Sequence, residues 1–327
     1  MKTRGAIDPA TLRAVEYLKT ILGRGIQYSK RGAMYTLLSE GLVWHRGKAV
    51  EPSTKDFHNV NRRLNGVLQA DILTDEHFND ECFDDNRRRT EHMKGWKTRA
   101  EFDEFCKTLW TLDYWQNQPC HVEVWLEKDT ASFLVKEVTE RLRVPLRVSA
   151  GSFSRTFLYR IAENLASKNQ PIKILYIGDF DPSGLDIERA AKRGETREEW
   201  LARQDGKLRK NGKPKQSYQP TDGLAEYLEK RFDWEAGRFE SQVEWIRLGV
   251  TEEDWRTVPE RARVPVKLDD TRAKDFVSKY GSYGAEIEAL EVVERGLLAR
   301  RLESHIWEYY IDQNAWAASE QQEVAER

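Results

Sequence analysis

Short hydrophobic runs alternate with longer amphipathic stretches in the second half of the chain. The runs Val122–Leu126, Leu146–Ala150 and Ile174–Ile177 have the length and β-branched content of buried strands. The stretches Ala131–Leu142 and Ser154–Ser167 lie between them and have the length of helices, and the second begins with a favoured N-cap residue. This order of elements predicts an α/β fold with a parallel sheet covered by helices.

The third run stops at two carboxylates. Asp179 and Asp181 are separated by one residue and are followed by Pro182 and Gly184. Side chains at i and i+2 of an extended segment point to the same side, so both acids could converge on one cation. The alternative interpretation is an acidic turn that caps the following helix.

A second predicted strand also ends on an acid, because Val122–Leu126 is followed directly by Glu127. The carboxyl ends of parallel strands meet at one edge of the sheet, where functional groups collect. We therefore expect Glu127, Asp179 and Asp181 to lie together at this edge. Oxygen ligands of this kind suit a hard cation, and Mg²⁺ is the predicted cofactor.

These acids resemble a known arrangement. A glutamate followed about two strands later by Asp-x-Asp and a glycine is similar to the Toprim domain of topoisomerases, primases and some nucleases. Residues 178–187, Gly-Asp-Phe-Asp-Pro-Ser-Gly-Leu-Asp-Ile, most resemble the topoisomerase VI A subunit and the related meiotic break-forming protein. The chain looks like a standalone, reduced relative. The resemblance implies a winged-helix-like domain at 1–105 and a Toprim domain with a Rossmann-like sheet at 106–327.

The resemblance also implies a nucleophilic tyrosine in an N-terminal Arg-x-x-x-Tyr motif, which Arg31 and Tyr35 fit. Residues four apart share a helix face, so the guanidinium of Arg31 could hold the phosphate that the phenol attacks. The product would be a 5′-phosphotyrosyl link. Met34 departs from the family pattern, which usually has an aromatic residue before the nucleophile. Without the resemblance, Tyr35 could simply be a core aromatic on an amphipathic helix.

The distribution of charge indicates where DNA would bind. The formal net charge is only −2, but residues 1–70 contain 12 Lys/Arg against 5 Asp/Glu. Double-stranded DNA is the predicted partner of this basic region. The stretch Asp56–Ala70 is a candidate recognition helix, and we expect DNA contacts from Lys30, Arg62 and Arg63. The alternative for these residues is a solvated basic face.

Two further segments have distinctive compositions. Residues 203–220 contain six Lys/Arg and one Asp among glycines and prolines, which predicts a basic loop that follows a DNA backbone or serves as a solubilising linker. Residues 276–306 are predicted to be mostly helical and include Glu286 and Glu288, two positions apart. Residues 307–327 form an aromatic and then polar tail, whose end we expect to fray.

Other classes of protein are disfavoured. The three cysteines lack metal-ligand spacing, no P-loop is present, and no apolar run is long enough to cross a bilayer. We expect a cytoplasmic protein without membrane association, and any ATPase would have to be a separate partner chain. The resemblance implies a homodimer in which each Tyr35 faces the acids of the other protomer.

Three functional hypotheses follow. The first is an Mg²⁺-dependent DNA-cleaving enzyme of the topoisomerase type, with Tyr35 and Arg31 at the phosphate, Glu127 as general acid or base, and the acids holding metal. The second is a Toprim nuclease that uses activated water, with Tyr35 structural. The third is a non-catalytic DNA-binding subunit. A covalent protein-DNA adduct would distinguish the first from the other two.

Overall fold

A computed structural model of the chain describes residues 9–22, 30–42, 44–45, 48–50, 59, 95–196, 222–268 and 272–326. In the N-terminal part, the described elements are two helices and a short antiparallel ribbon: α1 (Pro9–Leu22), α2 (Lys30–Ser39), β1 (Trp44–His45) and β2 (Lys48–Ala49). Except for Asn59, the predicted recognition helix lies outside the described residues, and so do Arg62, Arg63 and the basic loop at 203–220.

The main sheet has four parallel strands within the described residues. Its strands are β3 (His121–Leu126), β4 (Leu146–Val148), β5 (Ile172–Ile177) and β6 (Val243–Arg247), in the spatial order β4-β3-β5-β6. The sequence prediction of an α/β fold with a parallel sheet is therefore confirmed. The register pairs Leu126 with Ile177, so β3 and β5 end at the same level.

Helix α3 (Arg99–Leu109) precedes the sheet. The helices that lie between its strands, as parallel pairing requires, are α4 (Phe133–Arg141), α5 (Arg155–Ala166), α6 (Pro182–Arg193), α7 (Leu224–Arg231) and α8 (Arg238–Gln242). Ser154 caps α5 as expected, because its hydroxyl accepts a hydrogen bond from Phe157 N–H at 3.2 Å. The predicted helix–strand boundaries agree with these elements to within two residues in this part of the chain.

Both faces of the sheet are covered, and residues of its strands contribute to two hydrophobic cores. Val124 and Leu126 of β3 point into one core, which they share with α4 and the C-terminal helices. Trp125 points into the other core, which includes residues of α5 and α7. This double burial fixes β3 and β5 firmly and so positions whatever follows their carboxyl ends.

The described C-terminal part consists of helices and two short strands. It contains α9 (Glu252–Thr257), β7 (Val264–Pro265), α10 (Ala273–Tyr280), β8 (Tyr283–Gly284), α11 (Leu290–Val293), α12 (Leu297–Tyr309) and α13 (Gln313–Glu326). The prediction that residues 276–306 are mostly helical is confirmed, although the pairing of β8 with β7 separates α10 from α11. The tail forms α13, whose buried Glu323 pairs with Arg143 at 2.6 Å.

The N-terminal helix α2 packs against the C-terminal part of the same chain. Its contacts are with the 3-10 turn Ile287–Ala289, with α11 and with the 3-10 turn Glu260–Ala262. Tyr35 lies on α2 and is completely buried. The helix that carries the predicted nucleophile therefore packs against residues 260–262 and 287–293.

Candidate active site

The carboxyl ends of β3 and β5 bring two of the predicted acids together. Glu127 follows β3 directly, and its N–H donates to Ile177 O at 3.0 Å, which continues the sheet pairing by one residue. Asp179 lies two residues beyond β5, and its N–H donates to Glu127 Oε2 at 3.1 Å. Both carboxylates are buried, at 5% and 4% exposure. The expected convergence at the sheet edge is therefore present for this pair.

Asp181 has a different environment from Asp179. It is the N-cap of α6, and its Oδ1 accepts a hydrogen bond from Gly184 N–H at 2.7 Å. The capping interpretation of this acid is therefore correct in structural terms. Burial is the main cause that raises the pKa of Glu127 and of Asp179, and the charge of Asp181 adds to both shifts. Capping and a place beside the buried acids are compatible roles.

Two glycines of the motif permit this close packing. A Cβ on Gly178 would lie 2.8 Å from Glu127 Oε2 and 2.5 Å from the ring of Tyr176. A Cβ on Gly184 would overlap the backbone carbonyl of Asp179. Larger residues at either position would push the buried acids apart. The spacing of glycines around the acids is thus explained by the space available at the site.

A segment far along the chain adds two acids that the sequence analysis did not assign to the site. Phe180 forms an antiparallel bridge with Ala285, through reciprocal hydrogen bonds of 2.8 and 2.9 Å. Ile287 N–H then donates to Asp179 Oδ1 at 2.8 Å. Glu286 and Glu288 flank Ile287, and both are buried. Their spacing by two was visible in the sequence, but nothing in it linked them to Asp179.

Lys128 is the cation at the centre of these acids. Its Nζ lies 2.6 Å from Asp179 Oδ2, and 3.4 Å from both Glu286 Oε2 and Glu288 Oε2. The side chain of Lys128 is 18% exposed, whereas that of Glu288 is only 1% exposed. One ammonium group therefore serves several buried carboxylates.

The electrostatic consequence is visible in the acids themselves. Burial raises the pKa of Asp179 well above its ordinary value; Lys128 opposes the shift, and the neighbouring carboxylates reinforce it. Burial also raises the pKa of Glu127, against the lowering effects of the hydrogen bond from Asp179 N–H and of the Lys128 charge. An acid with a raised pKa retains a proton more readily, which is a property of general acids.

Arg247 supports the site from behind. It ends β6 and donates to the backbone carbonyls of Gly178 (3.1 Å) and Asp179, and it forms an ion pair with Glu188 of α6. Its guanidinium therefore holds the loop that follows β5 in place. Because it is paired with Glu188, it offsets the charge of the buried acids less directly than Lys128 does.

The N-terminal residues of the predicted site are placed only in part. Tyr35 is 0% exposed, so its phenol does not reach the surface in this conformation. Arg31 lies one helical turn before Tyr35, and Lys30 is the first residue of α2. The packing of α2 on Ile287–Ala289 places this helix against the segment that contributes Glu288.

The donor set fits a hard divalent cation in its chemistry. All of its donors are carboxylate oxygens, and Glu288 Oε1 is buried without a hydrogen-bond partner among the described residues. No group of three or more His, Cys, Asp or Glu in the described part of the chain is already arranged to hold a metal. Lys128 lies among the acids instead. The residues therefore suit Mg²⁺, with a rearrangement that moves the ammonium group.

Comparisons with protein-family models, with curated proteins and with solved structures gave no match. Over the residues that the structure describes, no helix is both long enough and apolar enough to span a bilayer.

Proposed function

We propose that this protein is an Mg²⁺-dependent DNA-cleaving enzyme of the topoisomerase VI A type, built as a winged-helix-like domain and a Toprim domain. One observation carries the proposal: buried acids gather at the carboxyl ends of β3 and β5, with Lys128 among them. Such an excess of buried negative charge is costly unless a cation offsets it. The basic N-terminal region supplies affinity for double-stranded DNA.

Asp179, Asp181 and Glu127 would hold the metal. Bound there, Mg²⁺ would offset charge on the phosphate oxygens and on the oxygen that leaves. Burial raises the pKa of Glu127, which suits it to proton transfer. The hydrogen bond from Gly184 N–H to Asp181 Oδ1 caps the first turn of α6.

Tyr35 is the proposed nucleophile. Its phenolic oxygen would attack the phosphorus of the DNA backbone and lose its proton to solvent, while the bond from phosphorus to the 3′ oxygen breaks and Glu127 protonates that oxygen. The 5′-phosphotyrosyl link conserves the bond energy, so resealing needs no ATP. The packing of α2 against Ile287–Ala289 supports this assignment, since it holds Tyr35 in the same part of the molecule as the acids.

A second candidate is a Toprim nuclease that uses water. The complete burial of Tyr35 favours it, because a buried phenol has to become accessible before it can attack DNA. In this alternative, Tyr35 is a core residue of α2 and the acids alone carry out hydrolysis. A homodimer and a separate ATPase subunit are part of the first proposal only.

The test compares the protein with Tyr35→Phe on labelled supercoiled DNA in Mg²⁺, followed by denaturation with and without protease. The matched control is Tyr310→Phe, which removes another buried phenol, packed near Cys120 at the opposite end of the sheet. We expect protein-linked DNA ends from the natural chain and from the control, and neither cleavage nor adduct from Tyr35→Phe.

Two results would contradict the tyrosine mechanism. Cleavage by Tyr35→Phe at the natural rate, with free DNA ends, would replace it by the water nuclease. No cleavage by any of the three proteins, with DNA binding retained, would favour the non-catalytic subunit. Circular dichroism of each variant establishes that the folds are comparable before the rates are compared.

A further inference from the structure

The segment that carries Glu286 and Glu288 joins the acidic site through contacts that are independent of the sequence motif. The Phe180–Ala285 bridge fixes the backbone on one side, and the hydrogen bond from Ile287 N–H to Asp179 Oδ1 fixes it on the other. Both glutamates are thereby held within 3.4 Å of the ammonium group that also binds Asp179.

Glu288 is the more informative of the two. Its side chain is 1% exposed, and one of its oxygens faces Lys128 Nζ at 3.4 Å. The other oxygen, Oε1, is buried and has no hydrogen-bond partner among the residues that the structure describes. A buried carboxylate oxygen without a hydrogen-bond partner is unfavourable. A cation of higher charge than an ammonium group would reduce this free-energy cost.

We propose that Lys128 Nζ is a resident counter-cation that a divalent ion displaces, and that Glu286 and Glu288 join Asp179 as ligands of that ion. This inference rests on the proposed function for its divalent cation, but it concerns residues outside the motif. In the metal-free protein, the ammonium group limits the repulsion among the acids. When the ion binds, Lys128 swings toward solvent, which its partial exposure permits.

The first measurement is the affinity for Mn²⁺ alone, by calorimetry. Mn²⁺ prefers the same oxygen ligands as Mg²⁺ and is the probe in every arm. Lys128→Met removes the competing charge, so we expect Mn²⁺ to bind at least about tenfold more tightly. Glu288→Gln and Glu286→Gln each remove one ligand charge and should weaken binding about tenfold or more. Lys136→Met is the control, because Lys136 is exposed on α4 and pairs only loosely with Glu140 at 3.8 Å.

A second measurement uses the natural chain and so does not depend on whether Lys128→Met folds. Acetylation of lysines with a water-soluble reagent is followed by mass spectrometry with and without Mn²⁺. The ammonium group lies 2.6 Å from Asp179 and its side chain is only 18% exposed, so Lys128 should be modified several times faster once Mn²⁺ displaces it toward solvent. Lys136 should react at the same rate in both conditions.

These outcomes decide the proposal. Tighter binding by Lys128→Met, weaker binding by both glutamine variants, or a Mn²⁺-dependent rise in Lys128 acetylation would each support it. Unchanged or weaker binding by Lys128→Met, or a Lys128 acetylation rate that Mn²⁺ leaves unchanged, would show that the ammonium group and the ion do not compete. Unchanged affinity in Glu288→Gln would remove Glu288 from the ligand set. Neither readout involves DNA, so failure of the cleavage mechanism would leave these results interpretable.

Discussion

Two buried glutamates, one within β3 and one just after it, have opposite electrostatic environments. Glu123 is 1% exposed and Glu127 is 5% exposed, so burial alone does not separate them. Glu123 lies within the strand, whereas Glu127 lies just beyond its carboxyl end. The difference is in the groups that surround each carboxylate.

Glu123 is matched by donors. It accepts hydrogen bonds from Trp125 Nε1 at 3.0 Å and from Arg147 at 2.8 Å, and the ring of His121 lies 3.3 Å away. Burial would raise the pKa of Glu123, but the hydrogen bonds from His121 and Arg147 outweigh it and hold the pKa below its ordinary value. This carboxylate is a satisfied component of the sheet.

Asp179 also has donors, Lys128 Nζ at 2.6 Å and Ile287 N–H at 2.8 Å. Burial nevertheless raises the pKa of Asp179 well above its ordinary value. The neighbouring acids Glu127, Glu286 and Asp181 add negative charge beside Asp179, whereas the groups that act on Glu123 are mainly donors. The comparison shows that an excess of buried charge, and not burial itself, distinguishes a candidate cation site from a structural ion pair.

Removing a metal ligand should have the largest effect. We expect Asp179→Asn to lower the rate of Mg²⁺-dependent DNA cleavage by about 10³-fold, the scale of losing a principal charge-stabilising group. Its stability in EDTA should not fall at neutral pH, because the raised pKa means that the folded state disfavours the charged form. Nicking of supercoiled DNA and urea denaturation measure the two effects. A fully active Asp179→Asn would refute the assignment of the site.

Replacing the hydrogen-bonded Glu123 should lower stability and leave the cleavage rate unchanged. Glu123→Gln leaves Arg147 without its charged partner, so we expect the free energy of unfolding to fall by about 3 kcal/mol. The folded fraction should still cleave DNA at the natural rate. The control is Glu127→Gln, just after the same strand. We expect this variant to keep its stability and to lose cleavage. Equal destabilisation of both variants, measured by urea denaturation, would contradict the distinction between the two glutamates.

The sequence was sufficient for the part of the site that depends on local order. Strand ends are readable from hydrophobic runs, and parallel pairing then places Glu127 beside Asp179, as the structure has them. The α/β class follows from the same pattern. The sequence predicts two alternative roles for Asp181, a metal ligand and a helix cap. The hydrogen bond from Gly184 N–H to Asp181 shows the cap directly.

The rest of the site depends on contacts between distant segments. Glu286 and Glu288 reach Asp179 only because Phe180 bridges Ala285, and no local pattern specifies that bridge. The position of Lys128 directly after Glu127 likewise does not indicate which carboxylates its ammonium group contacts. The burial of Tyr35 likewise follows from the packing of α2 on residues near the other end of the chain.

The dependence of stability on pH should show the smallest effect and the clearest difference in sign. The folded-state pKa values of Asp179 and Glu127 are raised, so above about pH 4 the folded state binds more protons than the unfolded state. The free energy of unfolding should therefore decrease as the pH rises through the raised pKa values, by at most about 1.4 kcal/mol per pH unit for each group.

Glu123 has the opposite dependence, because its folded-state pKa is lowered. Its contribution is present above about pH 4.5 and is lost as the pH falls through the lowered value. Urea denaturation in EDTA between about pH 5 and pH 8 should thus report the cluster around Asp179 and not Glu123, over a background from Glu226, Glu291 and His305 that the variants share. Relative to the natural chain, we expect a less negative slope in Asp179→Asn, and an unchanged slope at lower overall stability in Glu123→Gln. The same slope in the natural chain and in Asp179→Asn would mean that Lys128 neutralises Asp179 fully, and the contrast between the two clusters would then disappear.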